Sequence, residues 1–134
     1  MRHPNLVHVY RHYVVDETLI YIEMEAPSTA SNWKSFCKRA FTDQEIIKVF
    51  EALCGAVEFL HGINHIHRDI HPSRLHLLGH TLKFNHIGMP FNFKKLLKRD
   101  NFCGHINYSA PEMILDSPYF SNKCDIWALG CCLY

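Results

Sequence analysis

The strongest constraint on the fold is one long amphipathic segment in the middle of the chain. Thr42 and Glu45 match the capping box of a helix start, in which each side chain accepts a hydrogen bond from the other residue's backbone N–H. Gly62 stands where a helix C-terminal cap is expected. Between these ends, apolar residues recur at intervals of three and four: Ile46, Phe50, Leu53, Val57 and Leu60. The pattern predicts a helix whose apolar stripe is covered by the rest of the domain.

Short strands and further helices are predicted on either side of this helix. Residues 6–15 and 18–24 are rich in β-branched and aromatic side chains and flank a turn signal, so they predict an antiparallel hairpin. Two further strands are predicted at residues 75–78 and 82–85. Short helices are predicted within residues 32–39 and from residues 110–112, with a mixed basic loop at residues 89–107 before the second of them. A final apolar helix is predicted from Asn122, with Ser121 as its cap. This order of elements predicts an α+β fold that is mainly helical after residue 30.

Composition narrows the class of protein. A length of 134 residues with 48% apolar and 20% charged residues suits one globular domain. The net charge of +1 supplies no basic field for nucleic acid, and no apolar run approaches the roughly 18 residues of a membrane span. The start of the chain does not read as a signal peptide, so the six cysteines are interpreted as reduced thiols of a cytoplasmic or nuclear protein. The eleven histidines lack zinc-site spacing, so no metal site is predicted.

Six short motifs occur in a defined order along the chain. Residues 3–7 read His-Pro-Asn-Leu-Val, residues 19–25 Leu-Ile-Tyr-Ile-Glu-Met-Glu, residues 67–74 His-Arg-Asp-Ile-His-Pro-Ser-Arg, residues 86–88 His-Ile-Gly, residues 110–112 Ala-Pro-Glu, and residues 125–130 Asp-Ile-Trp-Ala-Leu-Gly. Their order and spacing resemble those of the protein kinase superfamily, in its serine/threonine-type branch. Within that branch, the chain is similar to NimA-related kinases and to kinase-like pseudokinases.

The resemblance implies a protein-kinase-like fold. Residues 1–25 are then strands four and five of the small lobe, and residues 26–134 are the large lobe, ending within its central helix. In this alignment the Gly-rich loop, the strand-three Lys and the Glu of the regulatory helix lie upstream of residue 1. We therefore expect a partial kinase domain that is truncated at both ends.

The resemblance also implies roles for single residues. Asp69 takes the position of the base that approaches the substrate hydroxyl, within the motif that begins at His67 and Arg68. The positions that contact nucleotide in the family are Met24, as gatekeeper, then Glu25 and Ala26 of the hinge, and His76 at the adenine floor. Glu112 and Asp125 match structural positions, and Val9, His67 and Ile87 match the internal hydrophobic spine.

Four family positions carry a different residue in this chain. His71 replaces the catalytic-loop Lys, Arg74 the magnesium-binding Asn, His86 the magnesium-binding Asp, and His105 a Thr. Magnesium prefers oxygen ligands, so an imidazole is a poor substitute for a carboxylate. At about 4 Å and an effective dielectric of about 20, two unit charges repel by about 4 kcal/mol, and a divalent ion roughly doubles that. Since about 1.4 kcal/mol is a factor of ten, Arg74 alone is expected to weaken metal binding by orders of magnitude.

Three functions remain open from the sequence. The first is a pseudokinase fragment that acts as a binding or allosteric module, with Asp69 retained as an inactive, structural residue. The second is an ATP-dependent serine/threonine kinase whose missing parts belong to a longer chain. The third is a truncated, non-functional isoform. No cofactor is expected under the first, and ATP with magnesium only under the second. Any partner is expected to be a protein, not nucleic acid or a membrane.

Overall fold

The long helix predicted from residue 42 is the central element of the structure. The computed structural model describes residues 2–15, 19–26, 41–78, 81–85, 104–115 and 121–134. Helix α1 spans Asp43–Gly62, and Thr42 caps it with both halves of the predicted capping box: Glu45 N donates to Thr42 Oγ1 at 3.3 Å, and Thr42 N donates to Glu45 Oε2 at 3.0 Å. Its stripe is fully buried only in the C-terminal half, at Leu53, Ala56, Val57 and Leu60.

The end of α1 differs from the sequence-based expectation. Gly62 is the last helical residue, so its prediction as the C-terminal cap was wrong. The chain instead turns at Asn64, which has a positive φ of 56°, and His65 N donates to Leu60 O at 2.9 Å. Asn accepts the left-handed conformation more readily than most residues, because its short polar side chain bonds locally. The reversal therefore falls two residues later than the glycine suggested.

Within the described residues, the β structure consists of two antiparallel hairpins. Strands β1, Val9–Val15, and β2, Leu19–Met24, pair with each other, as do β3, Leu75–Leu78, and β4, Thr81–Phe84. Strand β1 starts three residues later than predicted, because the segment before it forms backbone hydrogen bonds with β4. Val7 N donates to Phe84 O, and Phe84 N donates to Asn5 O, both at 2.9 Å. Residues 5–7 thus join the second hairpin to the first.

The helices predicted to open at residues 110–112 and at residue 122 are observed, and the described residues also form two short 3₁₀ helices that were not predicted. Short 3₁₀ helices span Pro72–Arg74 and Ile106–Tyr108, and helix α2 spans Pro111–Ile114. Helix α3 spans Lys123–Leu133, so the prediction of Ser121 as its cap was wrong: the N-cap residue is Asn122, although Lys123 N donates to Ser121 Oγ at 3.3 Å. The helix predicted within residues 32–39 and most of the basic loop, residues 89–103, lie outside the described residues.

The main core lies between α1, the second hairpin and α3. Phe84, Leu60 and Ala56 have no exposed surface, and the other members of the cluster are Leu6, Leu53, Val57, Ile70, Leu75, Leu82, Ala128 and Leu129. In contrast, all seven side chains of β1 are exposed. Val9, assigned to the internal spine by resemblance, is among them, at 36% exposed. No helix in the described ranges has both the length and the hydropathy needed to cross a bilayer.

Candidate functional site

The candidate site is the loop between α1 and β3, which carries the His-Arg-Asp motif. A buried carboxylate from α3 holds its backbone. Asp125 is completely buried, and its Oδ2 accepts from His67 N while its Oδ1 accepts from Arg68 N, each at 2.8 Å. His61, in the last turn of α1, places Nε2 2.8 Å from Asp125 Oδ2. Asp125 thus joins two helices to the loop, which gives a physical basis for the structural role expected of it.

The loop also contacts the segment that precedes α2. Arg68 has a positive φ of 63°, and Gly104 has a φ of 120°, a conformation that side-chain-bearing residues rarely adopt. A Cβ on Gly104 would lie 2.6 Å from Arg68 O, closer than real contacts allow. The sequence analysis did not single out this glycine. Because Gly104 has no Cβ, the segment before α2 can approach the backbone of the loop at Arg68.

Asp69 lies at the centre of the site with both carboxylate oxygens engaged. Its side chain is 11% exposed. Arg74 Nε donates a hydrogen bond to Oδ2 at 2.7 Å, and Arg74 Nη2 lies 2.6 Å from the same oxygen in the ion pair. Oδ1 lies 3.2 Å from His71 Nε2. The predicted base is thus brought together with two of the four altered positions, and neither partner is a metal ligand.

Arg74 is held in place by the backbone around it. It ends the 3₁₀ helix that follows His71, and its N donates to His71 O at 2.9 Å. Its carbonyl oxygen accepts from Asn85 N at 2.7 Å, which ties it to the end of β4. This turn folds the Arg74 side chain back toward Asp69. Sequence reasoning assigned Arg74 to a metal position but missed this pairing.

His71 is packed against a second altered position. Its ring centroid lies 5.1 Å from that of His105 and 6.0 Å from that of Tyr108. Burial lowers the pKa of His71; the Arg74 and His105 charges act in the same direction, and the Asp69 carboxylate opposes them. His71 therefore favours the neutral form. The fourth altered position, His86, lies outside the described residues.

The hinge positions are joined to the second hairpin by one carboxylate. Met24 ends β2 and is 36% exposed, and Ala26 is exposed. Glu25 accepts from His8 N at 2.9 Å and forms an ion pair with Lys83 of β4. Although burial acts to raise it, the hydrogen bonds from Lys83 and the His8 backbone hold the pKa of Glu25 below its ordinary value. The sequence analysis did not find the Lys83 partner.

His76, at the adenine-floor position, lies in β3 and is half-buried. Its Nε2 is 3.0 Å from Asn85 Nδ2. Burial, and then the nearby charge of Arg74, lower the pKa of His76. A neutral imidazole that faces an amide donor thus occupies a position where the family has an aliphatic side chain.

Glu112 begins the first turn of α2 at the edge of an open groove of about 990 Å³. The groove lies between α2, α3 and the Ile106–Tyr108 turn, and Trp127 and Tyr134 contribute aromatic surface to it. The structural role that the resemblance implies for Glu112 stays a prediction.

The site offers little to a magnesium ion. Arg74 contributes only N–H donors, and both Asp69 oxygens already accept hydrogen bonds. In the part of the chain that the structure describes, no three His, Cys, Asp or Glu side chains converge to hold a metal ion. Among the described residues of this loop, these side chains therefore do not supply the several oxygen ligands that magnesium prefers.

Comparison with known proteins decides the family. The family profile described as protein kinase domain matches residues 1–134, the whole chain. This chain belongs to the protein kinase family. The resemblance inferred from the six motifs is thereby confirmed, as is the α+β fold of a protein kinase-like domain.

Known members of the protein kinase family match throughout the chain. The chain is 32% identical to an Aurora kinase of Eremothecium gossypii over 136 residues, which cover 100% of the chain and 36% of that relative. It is 34% identical to the serine/threonine-protein kinase Nek10 of Homo sapiens over 140 residues, covering 98% of the chain and 12% of Nek10. Against Aurora kinase B of Mus musculus the identity is 32%, over 39% of that protein. The chain therefore spans much less than half of these relatives.

Proposed function

We propose that this protein-kinase-like chain is a pseudokinase module, which binds a protein partner or acts allosterically and does not transfer phosphate. The observation that carries the proposal is the pairing of Asp69 with Arg74 and His71. A catalytic carboxylate must accept a hydrogen bond from the substrate hydroxyl. Here Arg74 and His71 of the same loop already contact both oxygens, so a substrate hydroxyl has to compete with them for the Asp69 carboxylate.

Releasing the Asp69 carboxylate from Arg74 costs free energy, and the strength of their hydrogen bonding sets its size. A hydrogen bond to a charged group contributes about 1.5–3 kcal/mol, and Arg74 Nε donates one to Oδ2 within the ion pair. Since about 1.4 kcal/mol is a factor of ten in rate, freeing even one oxygen lowers turnover by one or more decades.

Loss of magnesium acts in the same direction. The family's two magnesium-binding positions are Arg74 and His86 in this chain. We therefore propose that no metal cofactor is used, and that any ATP binding is weak and independent of magnesium. A guanidinium at position 74 replaces part of the metal's charge but none of its ability to coordinate several oxygens at once.

The proposed setting is intracellular, in the cytoplasm or nucleus, with a protein partner rather than nucleic acid or a membrane. The described cysteines Cys54, Cys124, Cys131 and Cys132 are free thiols, which suits a reducing compartment. We assign residues 1–25 to a small-lobe unit and residues 26–134 to a large-lobe unit of this module.

A second function is supported by the relatives. Nek10 carries the name serine/threonine-protein kinase, and the chain retains the motif's Asp69 beside Arg68. On this alternative the chain contributes to ATP-dependent phosphotransfer within a longer protein. A third alternative, a truncated non-functional isoform, corresponds to a chain that does not fold.

The deciding experiment measures phosphotransfer from radiolabelled ATP with magnesium, using the full protein that carries this chain. We expect turnover at least a thousandfold below the roughly 1–100 s⁻¹ of active kinases. Activity that disappears in Asp69→Asn would establish the kinase alternative instead.

Nucleotide binding is tested in parallel by thermal shift with ATP, in magnesium and in EDTA. We expect the same small or absent stabilisation under both conditions, and Arg11→Asn, on the exposed β1, serves as the control variant. A stabilisation that requires magnesium in the unaltered protein contradicts the proposal. The double variant Arg74→Asn with His86→Asp is expected to gain magnesium dependence.

A further inference from the structure

Two histidines from separate segments of the chain pack against each other beside Asp69. His71 belongs to the catalytic loop and His105 to the segment before α2, and their ring centroids lie 5.1 Å apart with an interplanar angle of 43°. Tyr108 completes the group, with its ring edge toward His105 at 5.3 Å. By resemblance, these two histidines stand where the family has a Lys and a Thr. The ammonium group of the family's Lys is thus replaced by the imidazole of His71, and the hydroxyl of its Thr by the imidazole of His105.

The hydrogen bonding of His71 selects one neutral tautomer. Nε2 lies 3.2 Å from Asp69 Oδ1, so the ring proton resides on Nε2, where it is donated to the carboxylate. Nδ1 is buried and has no hydrogen-bond partner among the described residues. The residue as a whole is 7% exposed. A second proton on this ring would therefore place a buried N–H where the described residues offer it no acceptor.

The surrounding charges make that second proton still less favourable. The titratable groups that face His71 are Asp69 and Arg74 on its own loop and His105 and Tyr108 from the opposing segment. The negative charge of Asp69 favours protonation of the His71 ring, but the same carboxylate also forms an ion pair with Arg74. Burial is the largest cause that lowers the pKa of His71, followed after the opposing Asp69 by Arg74 and His105.

We propose that His71 and His105 form a proton-operated latch that holds the segment of residues 104–110 against the catalytic loop at neutral pH and releases it on acidification. Protonation of His71 requires Nδ1 to reach water, and the rings of His105 and Tyr108 lie against the imidazole. The ring therefore gains its second proton in the open state.

The direction of the pH response follows from linkage. A histidine whose pKa is lowered in the closed state stabilises that state fully above its ordinary pKa of about 6.5, and the stabilisation is lost as pH falls below that value. Each pH unit of acidification can shift the closed–open equilibrium toward the open form by at most about tenfold per proton taken up. The latch operates whether or not the domain transfers phosphate.

Hydrogen–deuterium exchange of the full protein at pH 7.5 and pH 5.5 tests the latch, after correction for the intrinsic pH dependence of amide exchange. We expect the corrected exchange of residues 104–110 to rise severalfold or more at pH 5.5, while peptides from the buried half of α1 stay unchanged. His71→Phe keeps a ring of similar size without a titratable nitrogen, and it is expected to abolish the pH response. His12→Phe, on the exposed face of β1, is the matched control and should retain it.

Three outcomes would overturn the latch. They are an unchanged exchange rate at residues 104–110, a response that persists in His71→Phe, and an opening of α1 that parallels that of residues 104–110. If His71→Phe does not fold, His71→Gln serves as the second non-titrating variant and the same loss of response is required. Restoring the family pair with His71→Lys and His105→Thr should likewise give a pH-independent contact.

Discussion

Arg74 is the residue at which this site departs furthest from a metal-dependent one. Its guanidinium places a permanent positive charge 2.6 Å from the Asp69 carboxylate. A buried carboxylate is stable as an anion only when it is paired and hydrogen-bonded. Arg74 therefore stabilises the negative charge of Asp69 by ion pairing, and no bound metal is needed to stabilise that charge.

We predict that Arg74→Asn lowers the free energy of unfolding by about 1–2 kcal/mol. Removing one partner from a buried pair leaves the other charge undercompensated, but the Arg74 side chain is 40% exposed, so solvent screening reduces the loss. Urea denaturation measures the change. Arg11→Asn is the matched control, since it breaks an exposed pair with Glu23 on the first hairpin. An effect of Arg74→Asn no larger than that of Arg11→Asn would show that the Asp69 pair contributes nothing.

Gly104 gives a second prediction at this scale. Gly104→Ala forces a Cβ to within 2.6 Å of Arg68 O and requires a φ of 120°, so we expect it to destabilise the fold by about 1–3 kcal/mol or to displace residues 104–110. Gly55→Ala is the control, because a Cβ there meets nothing within 4 Å in the interior of α1. That variant should be stabilised by about 0.5–1 kcal/mol. Thermal melts of both variants decide, and equal melting temperatures would contradict the argument.

At the scale of elements, local patterns predicted structure well where the deciding interactions are local. The start of α1 followed from Thr42 and Glu45, because a capping box involves only neighbouring backbone groups. Its end was misplaced because Gly62 and Asn64 both suit a turn, and sequence does not reveal which of them takes the positive φ. The start of β1 was misplaced for a different reason. Val7 pairs with Phe84, a distant residue that no local pattern identifies.

The candidate site shows the same division. The motif around Asp69 was recognised from consecutive residues, and its family is confirmed. The pairing of Asp69 with Arg74 depends on the 3₁₀ turn between them, and the contact of His71 with His105 depends on tertiary packing. Sequence reasoning therefore identified the altered positions one at a time. It did not find that His71 and Arg74 contact Asp69, or that His105 packs against His71.

Helix α3 contributes to the site through Asp125, which gives a prediction at the element scale. Asp125→Ala leaves His67 N, Arg68 N and His61 Nε2 without their shared acceptor in a fully buried position. We expect a loss of about 3–5 kcal/mol in the free energy of unfolding, measured by denaturant titration. Lys123→Ala, at the exposed start of the same helix, should change it by less than about 0.5 kcal/mol. Similar midpoints for the two variants would mean that α3 does not hold the loop through Asp125.

At the scale of the whole molecule, buried and exposed apolar surface are unevenly divided. The core packs around α1, whereas one side of α3 exposes Ile126 by 56% and Trp127 by 50%. The first hairpin adds exposed apolar and aromatic side chains, including Tyr10 at 58% and Val14 at 65%. Apolar surface exposed in patches is typical of an interaction site or of a liability to aggregate.

We predict that the 134-residue chain by itself associates with copies of itself in a concentration-dependent way. Burying about 100 Å² of apolar surface is worth about 2.5 kcal/mol, a large fraction of the stability of a small domain. Light scattering over a concentration series measures the association, and Trp127→Lys is expected to reduce it by adding charge to the exposed face of α3. Gln44→Lys adds the same charge on the exposed start of α1 and should leave association unchanged. A monodisperse monomer with one sharp, cooperative melt would contradict the prediction, because it would mean that the exposed faces of α3 and the first hairpin do not drive association in water.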